Sequence, residues 1–156
     1  MIEKLSRQAG KKLQSSRAML VTAESCTGGW VAQAVTSVAG SSGWFERGYV
    51  TYSNAAKREA LGVSKATLQR HGAVSEATAR AMARGALKKS RGTIALAITG
   101  IAGPGGAAPG KPVGTVCFAW ARGRKLRSET KRFLGGRGSV RRQSVVHALR
   151  GLLKWL

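Results

Sequence analysis

Two nucleophilic side chains, Ser25 and Cys26, stand together between the apolar run Ala18-Met19-Leu20-Val21 and the helix-like pattern Val31, Ala34, Val35, Val38. A hydroxyl and a thiol therefore fall where a strand ends and a helix begins. The first N–H groups of a helix have no partner inside it and its dipole makes that end partly positive, so a phosphate or a developing oxyanion meets donors there. Gly28 and Gly29 remove two side chains and let a ligand come close to the backbone. The plainer reading of the same residues is a cap, with Ser25 or Thr27 satisfying free donors.

A serine nucleophile needs a base. The chain has no Asp and only two His, with His71 in a polar stretch and His147 inside a helical pattern, so no Ser-His-Asp triad can be assembled. No acidic or His pair has metal-ligand spacing, and neither a metal nor a cofactor is expected. Lysine remains. In Tyr52-Ser53-Asn54-Ala55-Ala56-Lys57, Asn54 is a good N-cap for a short helix, which places Lys57 in the first turn. There the dipole and burial both disfavour an ammonium, lowering its pKa from about 10.4 toward neutrality. A lysine so tuned can take a serine proton, and Tyr52 can relay or donate one at the same place. A solvated helix lysine is the alternative. Cys26 competes with Ser25, because a thiol at a helix start can also have a lowered pKa.

These groups need a frame. Residues 2–16 read as an amphipathic helix, 18–23 as a strand and 27–38 as a helix, with a turn at Gly40-Ser41-Ser42-Gly43. A second strand covers 45–51, and a short helix runs from Asn54 to Gly62. Ser64 and Ser75 cap two more helices, the latter reaching about Ser90. The apolar run 93–99 suits a central strand covered on both faces. A Gly/Pro-rich loop (100–112), strands at 113–121 and 125–133 and a helix over 139–153 complete the chain. The pattern predicts one α/β domain over residues 1–156, three layers α/β/α, with a mixed, mostly parallel sheet and antiparallel pairing after residue 113. In such sheets ligands bind at the carboxyl ends of the strands, where Ser25 and Gly100 lie. The Gly-x4-Gly-Lys spacing from Gly105 to Lys111 is no P-loop, since Pro112 follows and then a strand. Gly103 to Ala108 loosely matches a dinucleotide fingerprint but opens no helix. Thr99-Gly100-Ile101-Ala102-Gly103-Pro104 is left as a backbone nest for an anion, or an ordinary loop.

The 27 Lys plus Arg against 6 Glu give a net charge of +21. Such a field attracts polyanions without specificity, but the cations are spread along the chain and no nucleic-acid-binding motif accompanies them. Arg80, Arg84 and Lys88 recur as one solvated helix face. No apolar run approaches the roughly 20 residues of a membrane helix, no secretory leader is visible, and two cysteines make no disulfide framework. The expectation is a cytoplasmic protein that makes no use of a membrane.

Ala23-Glu24-Ser25-Cys26-Thr27-Gly28-Gly29, Gly48-Tyr49-Val50-Thr51-Tyr52-Ser53-Asn54-Ala55-Ala56-Lys57, His71-Gly72-Ala73-Val74-Ser75, Thr99 to Pro104 and Lys111-Pro112-Val113-Gly114-Thr115-Val116 together resemble the CinA C-terminal domain family, in order and from Ala18 to the last helix. The resemblance implies hydrolysis of the carboxamide of nicotinamide mononucleotide to nicotinic acid mononucleotide and ammonia. It implies a metal-free site on Ser25, Tyr52 and Lys57, with Ser25 preferred over Cys26. Substrate contacts are expected from Thr27, Gly28, Gly29 and Asn54, and from Gly100, Ile101, Ala102 and Gly103. Arg137, Arg141 and Arg142 join them as phosphate ligands by their position at a helix start. A homodimer is expected. No nucleotide-sugar-cleaving domain precedes residue 1, unlike the two-domain members, so that second activity is not expected. An inactive, polyanion-binding member of the family is the alternative. Two positions depart from the pattern: Gly136 stands where the family commonly has Asp in Phe-x-Gly-Asp-Arg, and Gly110 where an acidic residue often precedes Lys-Pro.

Overall fold

A computed structural model describes all residues, 1–156. In chain order it contains α1 (Ile2–Ser15), β1 (Leu20–Glu24), α2 (Trp30–Thr36), a 3-10 turn (Ser41–Gly43), β2 (Phe45–Val50), α3 (Asn54–Leu61), α4 (Lys65–His71), α5 (Glu76–Lys88), β3 (Ile94–Gly100), β4 (Thr115–Arg122), β5 (Lys125–Arg132) and α6 (Arg137–Trp155). The five strands form one sheet in the order β2-β1-β3-β4-β5. β1 pairs in parallel with both β2 and β3, and the β3–β4 and β4–β5 pairings are antiparallel. This is the expected mixed sheet: the two pairings of β1 are parallel, and the two made by β4, which begins after residue 113, are antiparallel.

Helices cover both faces, and strand alternation decides which side chains each helix meets. Leu20, Ile94, Leu96, Ile98, Val116, Phe118 and Trp120 face α1, α2 and α6 in the larger core. The opposite face offers Ala23, Ala95, Ala97, Cys117, Ala119 and Ala121 to Ala79, Met82, Ala83 and Ala86 of α5. Small residues on both sides let α5 lie close to the sheet. Gly85 takes this furthest, since a Cβ there would sit 1.9 Å from the Leu61 carbonyl oxygen.

Local chemistry fixes the ends. Ser64 Oγ accepts from Thr67 N–H and Ser75 Oγ from Thr78 N–H, as their sequence positions require. The cap of α3 is Ser53, whose Oγ accepts from Ala56 N–H, and Asn54 is instead the first helical residue. Ser53 has the extended backbone of a cap (φ −86°, ψ 162°), and the hydroxyl one position earlier wins the competition. α2 begins at Trp30, three residues later than expected, because Gly28 and Gly29 take left-handed φ values of +62° and +98°. β1 likewise extends one residue further, through Glu24.

Because β1 lies between β2 and β3, the carboxyl ends of three neighbouring parallel strands converge. Residue 25, the segment 51–57 and the segment 100–103 follow those ends directly. The sheet therefore gathers segments that are distant in the sequence.

Candidate active site

Ser25 follows β1, held by its own N–H donating 2.9 Å to Ile98 O of the neighbouring strand. Lys57, in the first turn of α3, points back under the sheet end. Its Nζ lies 3.0 Å from Ser25 Oγ, 2.9 Å from Thr51 O and 3.1 Å from Tyr52 O. Ser25 is 7% exposed and Lys57 1% exposed. No carboxylate pairs with this ammonium-bearing side chain, and burial pushes its pKa below the ordinary lysine value. Nζ donates to all three oxygens, and Ser25 Oγ in turn donates toward Tyr52 O at 3.5 Å.

Cys26, one residue on, has the opposite environment for a nucleophile. Burial drives its thiol up to about 12, so almost no thiolate exists at neutral pH. The lowered thiol pKa expected for a helix start is overturned, since burial outweighs the donors and cations near Cys26.

The turn over residues 25–29 is built on a buried acid that sequence reasoning passed over. Glu24 Oε1 accepts from Thr27 Oγ1 at 2.7 Å and from Val31 N–H at 2.8 Å, and its Oε2 accepts from Ala32 N–H at 3.0 Å. Burial raises its pKa, with the Val31, Thr27 and Ala32 donors working against that rise. The helix-start donors expected to meet a ligand anion are thus already satisfied from within. Gly28 N–H is also committed, donating 3.0 Å to Ser25 O. The N–H groups of Cys26, Thr27 and Gly29 make no hydrogen bond within the protein; that of Gly29 is turned toward Glu24, which leaves Cys26 and Thr27 as the donors beside Ser25. An acid directly before the Ser-Cys pair and seven residues before Val31 was the available signal.

Tyr52 enters the centre through its backbone. Its carbonyl faces Lys57, while the phenol is 60% exposed and its oxygen accepts from Arg137 Nη2 at 3.1 Å. The phenol bonds neither Ser25 nor Lys57, which removes the basis for a direct proton relay. Arg137 also donates from Nη1 to Gly103 O at 2.7 Å, tying the 100–103 segment to the Tyr52 rim. In that segment Ile101 N–H is used by Thr115 O, whereas Ala102 and Gly103 N–H have no protein acceptor. Ile101 and Ala102 are buried, so backbone is what this loop offers. Arg141 gives its donors to Cys26 O (Nε, 3.1 Å) and Thr27 O (Nη2, 3.3 Å). Arg142 and Asn54 are exposed, and their side chains make no hydrogen bond within the protein.

The two histidines take no part in this arrangement. His71 ends α4, and His147 lies 2.7 Å from Glu129 against Phe118 and Phe133, where burial lowers its pKa despite the acid. No group of His, Cys, Asp and Glu is arranged to hold a metal ion. No helix is long and apolar enough to cross a membrane.

With this geometry in place the comparisons with known proteins are specific. The CinA C-terminal domain model matches residues 2–156, and the chain belongs to that family. It is 54% identical over 150 residues to the nicotinamide-nucleotide amidohydrolase PncC of Escherichia coli K12, covering 95% of this chain and 90% of that protein. A protein of the same name from Pseudomonas putida is 50% identical over 153 residues, covering 98% and 96%. Among solved structures, a CinA superfamily protein of Escherichia coli superposes with a TM-score of 0.97 at 37% identity, covering 100% of this chain and 91% of that one. The competence/damage inducible protein CihA of Agrobacterium tumefaciens gives 0.95 at 46% identity, covering 98% and 94%.

Proposed function

We propose that the chain is a nicotinamide-nucleotide amidase that hydrolyses the carboxamide of nicotinamide mononucleotide to nicotinic acid mononucleotide and ammonia, using Ser25 as nucleophile and Lys57 as general base. The observation that carries the mechanism is the buried 3.0 Å contact between Ser25 Oγ and a carboxylate-free Lys57. The names of relatives at half identity or more support the substrate.

Lys57 Nζ takes the Ser25 proton as Oγ attacks the carboxamide carbon. The resulting oxyanion is met by the unpartnered Cys26 and Thr27 N–H groups, which are fixed before the reaction starts. The Lys57 ammonium then returns its proton to the leaving nitrogen, the C–N bond breaks and ammonia departs, leaving a nicotinoyl ester on Ser25. Water attacks that ester with Lys57 accepting its proton, and protonation of Oγ releases the acid and restores the serine. Thr51 O and Tyr52 O hold Lys57 in place through both halves. The substrate phosphate falls to Arg137 and the free N–H groups of Ala102 and Gly103, with Arg142 and Asn54 exposed as further polar groups. With its phenol bonded to Arg137, Tyr52 serves binding more than proton transfer, and Tyr52→Phe should raise KM more than it lowers kcat.

Incubating the purified protein with nicotinamide mononucleotide and assaying ammonia tests the reading. Stoichiometric ammonia and nicotinic acid mononucleotide are expected, with nicotinamide riboside a far poorer substrate. No release, or release undiminished by Ser25→Ala, would refute it.

A further inference from the structure

Arg141 stands four residues after Arg137 on α6, yet it faces different chemistry. Its Nε and Nη2 reach Cys26 O and Thr27 O, and the guanidinium lies 5.6 Å from the Trp30 ring centre. A Cβ on Gly28 would lie in ordinary van der Waals contact with Nη2, at 3.5 Å, so the guanidinium packs directly over this turn. Both acceptors are backbone carbonyls of the turn after the nucleophile, so the guanidinium is held against that turn, whereas Arg137 is held at the Tyr52 and Gly103 rim.

Each of those carbonyls shares an amide with the next N–H. Cys26 C=O belongs with Thr27 N–H, one of the two free donors beside Ser25. A cation at an amide oxygen draws electron density from the nitrogen and strengthens its N–H as a donor, by roughly 10–30% in condensed-phase estimates of such cooperativity. The local charge balance makes this useful. Glu24 is buried beneath the same turn and takes Thr27 Oγ1–H, so its electron-rich carboxyl oxygens oppose an oxyanion forming at Thr27 N–H. Arg141 supplies the compensating positive charge at the carbonyl side.

We propose that Arg141 is a positioning residue of the amidase reaction, clamping the turn over residues 25–29 and strengthening Thr27 N–H toward the oxyanion, and is not a ligand of the substrate phosphate. The proposal rests on the amidase reading above. It assigns the two arginines of α6 to separate tasks, with Arg137 facing the substrate rim and Arg141 facing the backbone that meets the reacting carbonyl.

Arg141→Gln and Arg141→Lys test this in the full chain, with kcat and KM measured separately on nicotinamide mononucleotide and nicotinamide riboside. Deleting a whole oxyanion donor costs about 10²–10³ in kcat, so weakening one should cost about 10–100-fold in Arg141→Gln. KM should stay within about threefold, both substrates should lose by the same factor, and Arg141→Lys should recover part of the loss because it restores the charge. A KM increase confined to the phosphate-bearing substrate, or an unchanged kcat, would overturn the proposal. Should Arg141→Gln fail to fold, Arg141→Lys carries the same comparison. Labelling of Ser25 by phenylmethanesulfonyl fluoride separates this claim from the choice of substrate: Oγ bonds sulfur, fluoride leaves, and Lys57 takes the proton. Slower labelling of the variants supports the clamp even where no ammonia is released, whereas equal rates in variants and unchanged protein refute it.

Discussion

Lys57 is the residue on which the proposed chemistry and the stability of the site both turn. A lysine 1% exposed with no acid beside it is rare, because the charged form is costly to bury. Its pKa is lowered in the folded chain, so between that value and the unfolded value near 10.5 the unfolded chain binds the extra proton. Stability from this group therefore rises with pH through that window and is lowest below it. Lys57→Met should consequently abolish turnover and raise the denaturation midpoint at pH 7, with a smaller gain near pH 10, as urea titrations at both pH values would read. A fall in stability at pH 7 would mean that the three hydrogen bonds of Lys57 outweigh its desolvation. Cys26→Ala should keep most of the activity, since a thiol at about 12 contributes no nucleophile. The residue types were legible in the sequence: removing Asp, the histidines and metal clusters left Ser25 and a lysine. The family resemblance preferred Ser25 over Cys26; both are buried, and what distinguishes them is that Lys57 Nζ meets Ser25 Oγ while the thiol is pushed up to about 12. For Tyr52 the carbonyl meets Lys57 while the phenol meets Arg137, a division between backbone and side chain that spacing does not reveal.

Among the elements, the turn between β1 and α2 carries the site. Gly28 at φ +62° occupies a region that costs an L residue about 1–2 kcal/mol, so Gly28→Ala should destabilise by about that much. Its kcat should fall as well, because the Cys26 and Thr27 amides move with the turn, and a thermal melt paired with ammonia assays reads both. Gly85→Ala reverses the usual helix rule. Alanine normally favours a helix interior by about 1 kcal/mol, but a Cβ 1.9 Å from Leu61 O forces α3 and α5 apart, and the variant should be less stable by melting temperature. At the start of α6, Gly136 is the N-cap and offers no side-chain acceptor. Gly136→Asp, the residue common in the family, should restore a cap and gain a few tenths of a kcal/mol. Element order, strand positions and the Ser64 and Ser75 caps followed from hydrophobic period and turn residues. The start of α2 did not, because apolar spacing says nothing about left-handed φ at two glycines. Glu24 was missed for a related reason: it is a strand residue that caps a helix across an intervening turn, and local capping rules look only one to three positions ahead.

For the whole molecule, the five-stranded sheet explains why a site spread over residues 25 to 141 is compact, since three parallel strands end together beneath it. The net charge of +21 acts at a different range. It should draw any anionic substrate toward the surface, and salt should screen it over a Debye length of about 8–10 Å. kcat/KM for nicotinamide mononucleotide should therefore fall as salt rises, while that for uncharged-tail analogues changes little. Charge of this kind sets encounter, and the proposed chemistry rests on Ser25 and Lys57. The most direct measurement of that chemistry is ammonia release by Lys57→Arg at saturating nicotinamide mononucleotide. A guanidinium fills similar space but stays protonated, so it cannot accept the serine proton. Loss of the general base predicts a fall of about 10²–10⁴ in kcat, close to that of Lys57→Ala. Turnover at the level of the unchanged protein would contradict the assignment and require another base.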